Sequence, residues 1–270
     1  MFKLIVIILT LLIVVGCGND AIVIDEDLPT TTHFAISDDV GDHNWQDFIT
    51  VEVNSDQIIT NVEMNSIAQT AMAARRDFAQ LDEYEEAFGY DFYEQANTLE
   101  RSLVGLSSHE LADTIRVAYP NDLVDFDTTI FANLAEQALN ADPVEIGDYI
   151  DGWYQSLSDF NEDGFQYFVN LFVQHGTIIA VHWNAINEEG ILKYDPTGAT
   201  AVNDEMRQWH SQAQLVEESL IARQDPMLFA FDENGRSTDI PNVTIEVEPF
   251  ISLATQALAA GPLIREHSED

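Results

Sequence analysis

The chain repeats one sequence pattern, and this internal repeat constrains the fold more than any other feature. Residues 131–139 (FANLAEQAL) recur at 250–258 (FISLATQAL). The matches keep their order and nearly keep their spacing, which favours a duplicated globular domain over a solenoid with repeats of roughly 20–50 residues. The further matches are Gln95-Ala96 with Gln212-Ala213, Ser102-Leu103 with Ser219-Leu220, and Asn65 and Ile67 with Asn184 and Ile186.

Both repeats have the same predicted order of secondary structure. Alternating apolar and polar residues predict strands at 45–53 and 165–173, and after a turn each is followed by a second strand, at 58–62 and 178–181. Helical patterns then cover 68–88, 93–104, 129–139, 204–223 and 249–259. Strands followed by helices predict an α+β fold. We expect two tandem copies of one domain, each a β-hairpin-led antiparallel sheet packed with helices.

The composition supports two folded domains preceded by a short amino-terminal targeting segment. With 46% hydrophobic and 10% aromatic residues, the chain can build two ordinary cores despite a net charge of −38. Such acidity argues against nucleic acid and anionic membrane surfaces as partners and indicates a solvated acidic surface. The predicted segments are a signal peptide at 1–16, a tether at 17–31, repeat 1 at 32–142 and repeat 2 at 146–264.

The amino-terminal segment ends in a motif that predicts lipidation. Its apolar run, residues 4–15, is shorter than the roughly 20 residues that span a bilayer. It leads into Val-Val-Gly-Cys, which resembles the lipobox of bacterial lipoproteins, and Cys17 is the chain's single cysteine. The resemblance implies cleavage before Cys17 and a diacylglycerol on its thiol. The expected location is the cell envelope, extracytoplasmic and lipid-anchored to a membrane; the alternative is a plain signal peptide with a chance cysteine.

Repeat 2 carries an ordered set of short motifs that points to a family. They are DGWY at 151–154, DGF at 163–165, GTIIAV at 176–181 and NEEGILK at 187–193. In this order they resemble the FMN-binding domains of envelope lipoproteins that take part in extracellular electron transfer. The resemblance implies an electron carrier with a redox protein partner, rather than a substrate-specific enzyme. It also implies FMN attached to a threonine through a phosphoester, in a motif Asp-x-x-Ser/Thr-Gly-Ala-Thr before the last helix.

The acceptor motif is degenerate in both repeats. In repeat 2, Thr244 stands near the acceptor position, with Asn242 and Val243 where the family has Gly and Ala. In repeat 1 the matching residue is Asp125, which has no hydroxyl, so repeat 1 is predicted to be free of flavin. A literal Thr-Gly-Ala-Thr ends at Thr200, soon after the hairpin; it is either a rearranged flavin site or a simple turn. A non-catalytic binding or scaffold module with a decayed flavin site therefore remains the alternative function.

The sequence gives weaker signals for a metal site and for aromatic residues that could stack on a ligand. Residues 159–164 (DFNEDG) begin like a calcium loop but lack the glutamate at its twelfth position, which favours a turn. His175 and His182 lack metal-ligand spacing and are expected to be turn and surface residues. Neither a metal site nor a catalytic residue is predicted. Three tryptophans are interpreted as either core residues or stacking partners of a flavin: Trp153, Trp183 and Trp209.

Overall fold

The computed structural model describes residues 28–37, 45–68, 72–80, 84–85, 88–118, 124–194 and 203–263. Within these ranges, six α-helices with defined bounds and two antiparallel sheets are present. The strands are β1 (Thr30–Ile36), β2 (Gln46–Asn54), β3 (Ile59–Ala68), β4 (Ala73–Ala74), β5 (Gly152–Phe160), β6 (Phe165–Gln174) and β7 (Thr177–Asn187). The helices are α1 (Arg75–Phe78), α2 (Phe92–Leu103), α3 (Leu111–Ala118), α4 (Thr129–Asn140), α5 (Asp204–Arg223) and α6 (Glu248–Ala260).

The two sheets show that the chain consists of two copies of one α+β domain. The first has the strand order β1-β2-β3-β4 and the second β5-β6-β7, each pairing antiparallel with its neighbours. The registers also correspond, because Phe48 faces Asn65 in the first sheet and Phe168 faces Asn184 in the second. The predicted fold class is therefore confirmed.

Each sheet buries one face against the helices of its own repeat. In repeat 1, Phe92 of α2 and Phe131 of α4 pack with apolar residues of β2 and β3. In repeat 2, Phe250 of α6 and helix α5 cover the same face of β6 and β7. Apolar residues alternate along the strands, so only one face of each sheet is committed to this core.

The opposite faces of the two sheets meet in a third apolar cluster. Phe48 and Ile67 of repeat 1 are buried together with Trp153 and Phe172 of repeat 2. Ring centroids lie 6.3 Å apart for Phe48 and Phe172, and 4.7 Å apart for Trp153 and Phe172. The repeats therefore pack sheet against sheet, with their helices on the outside.

Most of the predicted helices are confirmed. Helix α5 has the predicted bounds, 204–223, and the helices predicted at 93–104, 129–139 and 249–259 are α2, α4 and α6 with ends shifted by about one residue. Helix α3 was not predicted, nor were strands β1 and β5, which place a third strand at the start of each sheet. Strand β1 begins at Thr30, inside the predicted tether.

The helix predicted at 68–88 is wrong at its start. Strand β3 extends through Ala68, the chain returns in the short strand β4, and helical residues are described only from Arg75 on, at 75–78, 84–85 and 88. The alanine-rich sequence has a high helix propensity, but the pairing of Ala68 at the end of β3 with Ala73 of β4 overrides that local preference.

The segment resembling a calcium loop is a turn between β5 and β6. The Asn161 side-chain oxygen accepts hydrogen bonds from the backbone N–H groups of Asp163 and Phe165, at 3.1 and 2.9 Å. Within the described ranges, no group of three or more His, Cys, Asp or Glu side chains is placed to hold a metal ion. Among the same residues, no helix combines the length and apolar character needed to cross a membrane.

Candidate functional site

A cavity of about 570 Å³ opens on the helix-covered side of repeat 2. Helix α5, the β5–β6 turn, the end of the β7 hairpin and the segment before α6 all contribute to it. The charged and hydroxyl-bearing lining residues include Ser158, Asp159, Asp163, Lys193, Arg236, Thr244 and Glu246; the aromatic ones are Tyr167, Trp183 and Trp209. The cavity therefore combines flat aromatic walls with charges of both signs.

Lys193 brings a cation to the aromatic wall. Its position is fixed by a hydrogen bond from its backbone N–H to the Ala185 carbonyl, at 2.8 Å. The ammonium lies 4.7 Å from the ring centroid of Trp209 and 4.8 Å from that of Tyr167, and it donates to the Tyr167 hydroxyl. Lys193 shares the cavity with Thr244 and Glu246, so its charge offsets part of the negative charge near Thr244.

Thr244 lies at the edge of this cavity with an exposed side chain. Its hydroxyl and its backbone N–H both donate to the side-chain oxygen of Gln212 on α5, at 3.1 and 2.6 Å. Asn242 has φ of 64°, the left-handed region that glycine favours, while Val243 is buried in the core. The segment therefore keeps a glycine-like backbone at Asn242, although its side chains differ from the small residues expected there.

The three candidate tryptophans have different environments. Trp153 lies in the apolar cluster between the two sheets, on the face of its sheet opposite the cavity. Trp183 is 1% exposed and lines the cavity floor, with Trp209 and Phe250 each 5.1 Å away between ring centroids. Trp209 is half-buried on α5 and lines the wall. Only Trp183 and Trp209 belong to the site, and only Trp209 offers a partly accessible ring.

A buried carboxyl group lies beside the cavity floor. Glu217 of α5 accepts a hydrogen bond from the backbone N–H of Trp183, at 2.7 Å. Burial raises the pKa of Glu217 to about 8, with a small further increase from Glu218 and a partial offset from the Trp183 N–H. In the described part of the chain Glu217 forms no ion pair. The sequence patterns did not identify this residue.

The two histidines differ from each other in burial. His175 lies in the β6–β7 turn with φ of 54°, as expected, and its Nε2 is 3.0 Å from the Thr50 hydroxyl. His182 was expected at the surface but is 7% exposed, on the strand β7. Burial, with a smaller contribution from His210, lowers the pKa of His182 to about 4, so the ring is neutral near pH 7.

Repeat 1 also places a cation over aromatic rings, at Arg75. Arg75 comes directly after β4, and Lys193 comes directly after Leu192, which forms a β-bridge with Ile186. The Arg75 guanidinium lies 4.2 Å from the Phe92 ring centroid. It donates to the hydroxyls of Tyr84, at 2.7 Å, and Tyr90. Tyr84 is fully buried.

Residue pairs around the acceptor position also correspond. Gln95 of α2 donates to the Asp125 carboxylate and accepts from the Asp125 backbone N–H, each at 2.7 Å. In repeat 2, Gln212 contacts Thr244 at the same place but only as an acceptor, from the Thr244 backbone N–H and hydroxyl. Asp125 thus occupies the position that Thr244 occupies, as the alignment of the repeats predicted. Two other predicted site residues, Cys17 and Thr200, lie outside the described residues.

Two solved structures are similar to parts of this chain. A protein from Clostridium thermocellum, solved by solution NMR for a structural genomics consortium, is 34% identical over 43% of this chain and 97% of its own, with a TM-score of 0.34. A protein from Clostridium perfringens, solved by crystallography for the same consortium, is 21% identical over 42% of this chain and 89% of its own, with a TM-score of 0.31. No protein-family model matches the chain, and no curated protein matches it significantly.

Proposed function

We propose that this protein is a lipid-anchored envelope protein whose second repeat binds a planar, anionic ligand in the cavity beside Lys193. The ligand class follows from the lining. The rings of Tyr167 and Trp209 offer flat apolar surface, and Lys193 and Arg236 offer positive charge. The observation that carries the proposal is the position of Lys193, which stands over the Tyr167 and Trp209 rings in a cavity that Arg236 and Thr244 also line.

FMN is the ligand that we propose, on the basis of the family resemblance and the cavity chemistry. Its isoalloxazine would lie against Trp209 and Tyr167, and Lys193 and Arg236 would hold the phosphate. Thr244 would be the point of attachment, which requires that its hydroxyl leave the hydrogen bond to Gln212. When bound, FMN supplies one- and two-electron transfer, so the protein would act as an electron carrier at the membrane rather than as a substrate-specific enzyme.

A titration with FMN tests this assignment. Lys193→Met removes the cation while keeping an apolar chain of similar length, and we expect it to weaken FMN binding by about tenfold or more, since a charge-assisted hydrogen bond is worth roughly 1.5–3 kcal/mol. Arg116→Met is the matched control, because Arg116 forms exposed ion pairs on repeat 1. Equal affinities for the two variants would rule out the cavity as the FMN site.

The second candidate is a non-catalytic binding or scaffold module with a decayed flavin site. The acidic part of the lining favours it, because Asp159, Asp163 and Glu246 oppose a phosphate group. Val243, buried where the family has a small residue, favours it as well. A protein that stays colourless when produced with a flavin transferase, and that binds no free FMN, would support this candidate over the electron carrier.

Anchoring is a separate part of the proposal and has its own test. We propose that Cys17 carries the lipid and is the whole attachment to the membrane. Cys17→Ala, with the rest of the chain unchanged, should then move the protein from the membrane fraction to the soluble fraction. A variant that remains in the membrane fraction as tightly as the unaltered protein would disprove lipidation as the anchor.

A further inference from the structure

Four aliphatic side chains stand out from the surface of this acidic protein. They are the most exposed large apolar residues that the structure describes: Ile146 (83%), Met227 (72%), Ile150 (69%) and Leu228 (60%). Isolated exposed apolar residues need no explanation, whereas a group of them at one place indicates an interaction surface.

Hydrogen bonds place the four residues at one end of the molecule. The connector between the repeats runs along the β6–β7 turn, since the N–H groups of Gly147 and Tyr149 donate to carbonyls of that turn at 2.9 and 3.1 Å. Ile146 and Ile150 are the neighbours of these two residues. The Tyr149 hydroxyl donates to the Gln224 carbonyl at 2.8 Å, just before Met227 and Leu228. We refer to Ile146, Ile150, Met227 and Leu228 as the connector patch.

The start of the described chain lies at the same end. The Val144 N–H donates to the carbonyl of Thr32 at 2.8 Å, and Thr30 at the beginning of β1 pairs with Asn54 at the β2–β3 turn. Residues 18–27 separate Cys17 from Leu28. At 3.3–3.6 Å per residue, the distance from Cys17 to Leu28 is at most about 36–40 Å at full extension. A lipid on Cys17 would therefore keep the connector patch close to the membrane.

We propose that the connector patch docks on the lipid surface to which the protein is anchored. The proposal rests on the proposed lipidation, and the anchor makes a weak surface contact effective by keeping the patch at high local concentration. The aliphatic side chains enter the interfacial region, where burial of apolar area is favourable. The connector also carries Asp142, Glu145 and Asp148, which oppose anionic headgroups. The lipid surface that fits this face is therefore a zwitterionic one.

Site-specific fluorescence quenching tests the docking. Residues 18–270 with an amino-terminal histidine tag contain no cysteine and can be tethered to phosphatidylcholine vesicles through a nickel-chelating lipid. Ile150→Cys and Met227→Cys, each labelled with bimane, report on the patch. Phe160→Cys and Ile191→Cys are matched controls, because these exposed apolar residues lie at the opposite ends of the strands. Lipids carrying a nitroxide in the acyl chain should quench the patch labels at least twofold more than the control labels.

Three other outcomes would overturn the docking proposal. Equal quenching at all four positions, or stronger quenching at 160 and 191, would show that the patch does not face the bilayer. Sedimentation of the untethered protein as a dimer that Ile150→Ser dissociates would show that a second copy covers the patch instead. The histidine tag supplies the anchor in these experiments, so a failure of lipidation at Cys17 appears only in the fractionation of Cys17→Ala.

Discussion

The two repeats have the same framework and differ at the position where a ligand would bind. In repeat 1, Arg75 is enclosed by aromatic rings, and Tyr84 and Tyr90 accept its hydrogen bonds. In repeat 2, Lys193 takes the equivalent place, and the cavity around it reaches the surface near Thr244. A duplicated domain can thus keep a cation over an aromatic ring as a packed structural element in one copy and as part of a cavity wall in the other.

The two repeats also differ in the groups that surround an equivalent buried glutamate. Glu100 on α2 and Glu217 on α5 each accept a hydrogen bond from the backbone of the third strand, at the N–H of Met64 and of Trp183. Only Glu100 has a cation, with Arg76 at 2.6 Å. Burial raises the pKa of Glu100 and Arg76 partly offsets that increase, whereas Glu217 has no such offset. Repeat 1 thus pairs its buried glutamate with an arginine, whereas no cation among the described residues of repeat 2 pairs with Glu217.

The largest expected effect comes from removing equivalent core rings. Phe131 and Phe250 are 1% and 0% exposed, so Phe131→Ala and Phe250→Ala should each cost about 3–5 kcal/mol of the free energy of unfolding. Urea unfolding measures the loss of unfolding free energy, and hydrogen exchange shows which repeat loses protection of its backbone amides. Each variant should lose protection mainly in its own repeat. Equal losses in both repeats would mean that the interface between the sheets merges them into one cooperative unit.

The next effect concerns the ion pair of repeat 1. Glu100→Gln keeps the shape of the side chain but leaves Arg76, whose side chain is 15% exposed, without its carboxylate. Breaking a buried pair from one side is costly, so we expect a loss of about 3 kcal/mol in the free energy of unfolding at pH 7. Denaturant unfolding gives the value. A change below the error of such measurements would show that solvent already screens this pair.

The equivalent substitution in repeat 2, Glu217→Gln, should increase the free energy of unfolding above neutral pH. The folded-state pKa of Glu217 is about 8, above its ordinary value of 4.5, so the folded protein holds a proton that the unfolded chain releases between these values. Stability should fall as pH rises through this window, by at most about 1.4 kcal/mol per pH unit. Glu217→Gln removes this dependence and should be the more stable protein at pH 8.5. Parallel pH profiles for the two proteins would contradict the assignment.

The smallest effect involves the surface charge that both repeats share. With 48 acidic and 10 basic residues, the folded chain repels itself, and salt screens this repulsion with a Debye length of about 10 Å at 0.1 M. Raising sodium chloride from 0.1 to 1 M at pH 7 should increase the Tm by about 2–4 °C, corresponding to about 1 kcal/mol. A Tm that stays constant or falls would show that this repulsion does not limit stability.

The sequence predicted the framework because both copies carry the same local patterns. Helix α5 and the hairpins follow from periodicity and turn residues, and the repeat supplies two independent instances of each. Strands β1 and β5 were missed because their alternation is weak, with polar residues such as Gln155 on strand positions that pair with a neighbour. The helix predicted at 68–88 begins too early, because local propensity could not reveal the pairing of β3 with β4.

The site was predicted only in part, because it depends on contacts between distant segments. Thr244 and Trp209 could be singled out from the sequence, but nothing local indicated that Lys193 and Arg236 would share a cavity with them. Glu217 gave no signal, since a glutamate on a helix is ordinarily exposed. Comparison with Glu100, in the matching position of the other repeat, is the signal that would have identified it.

The intact mass of the protein produced together with a flavin transferase shows directly whether repeat 2 alone carries covalent FMN. We expect one FMN adduct, lost in Thr244→Ala and kept in Thr244→Ser and Thr200→Ala, because repeat 2 offers a hydroxyl where repeat 1 has Asp125. Two adducts would contradict the difference between the repeats. An adduct lost in Thr200→Ala but kept in Thr244→Ala would move the site away from Thr244, and the absence of any adduct would contradict covalent attachment.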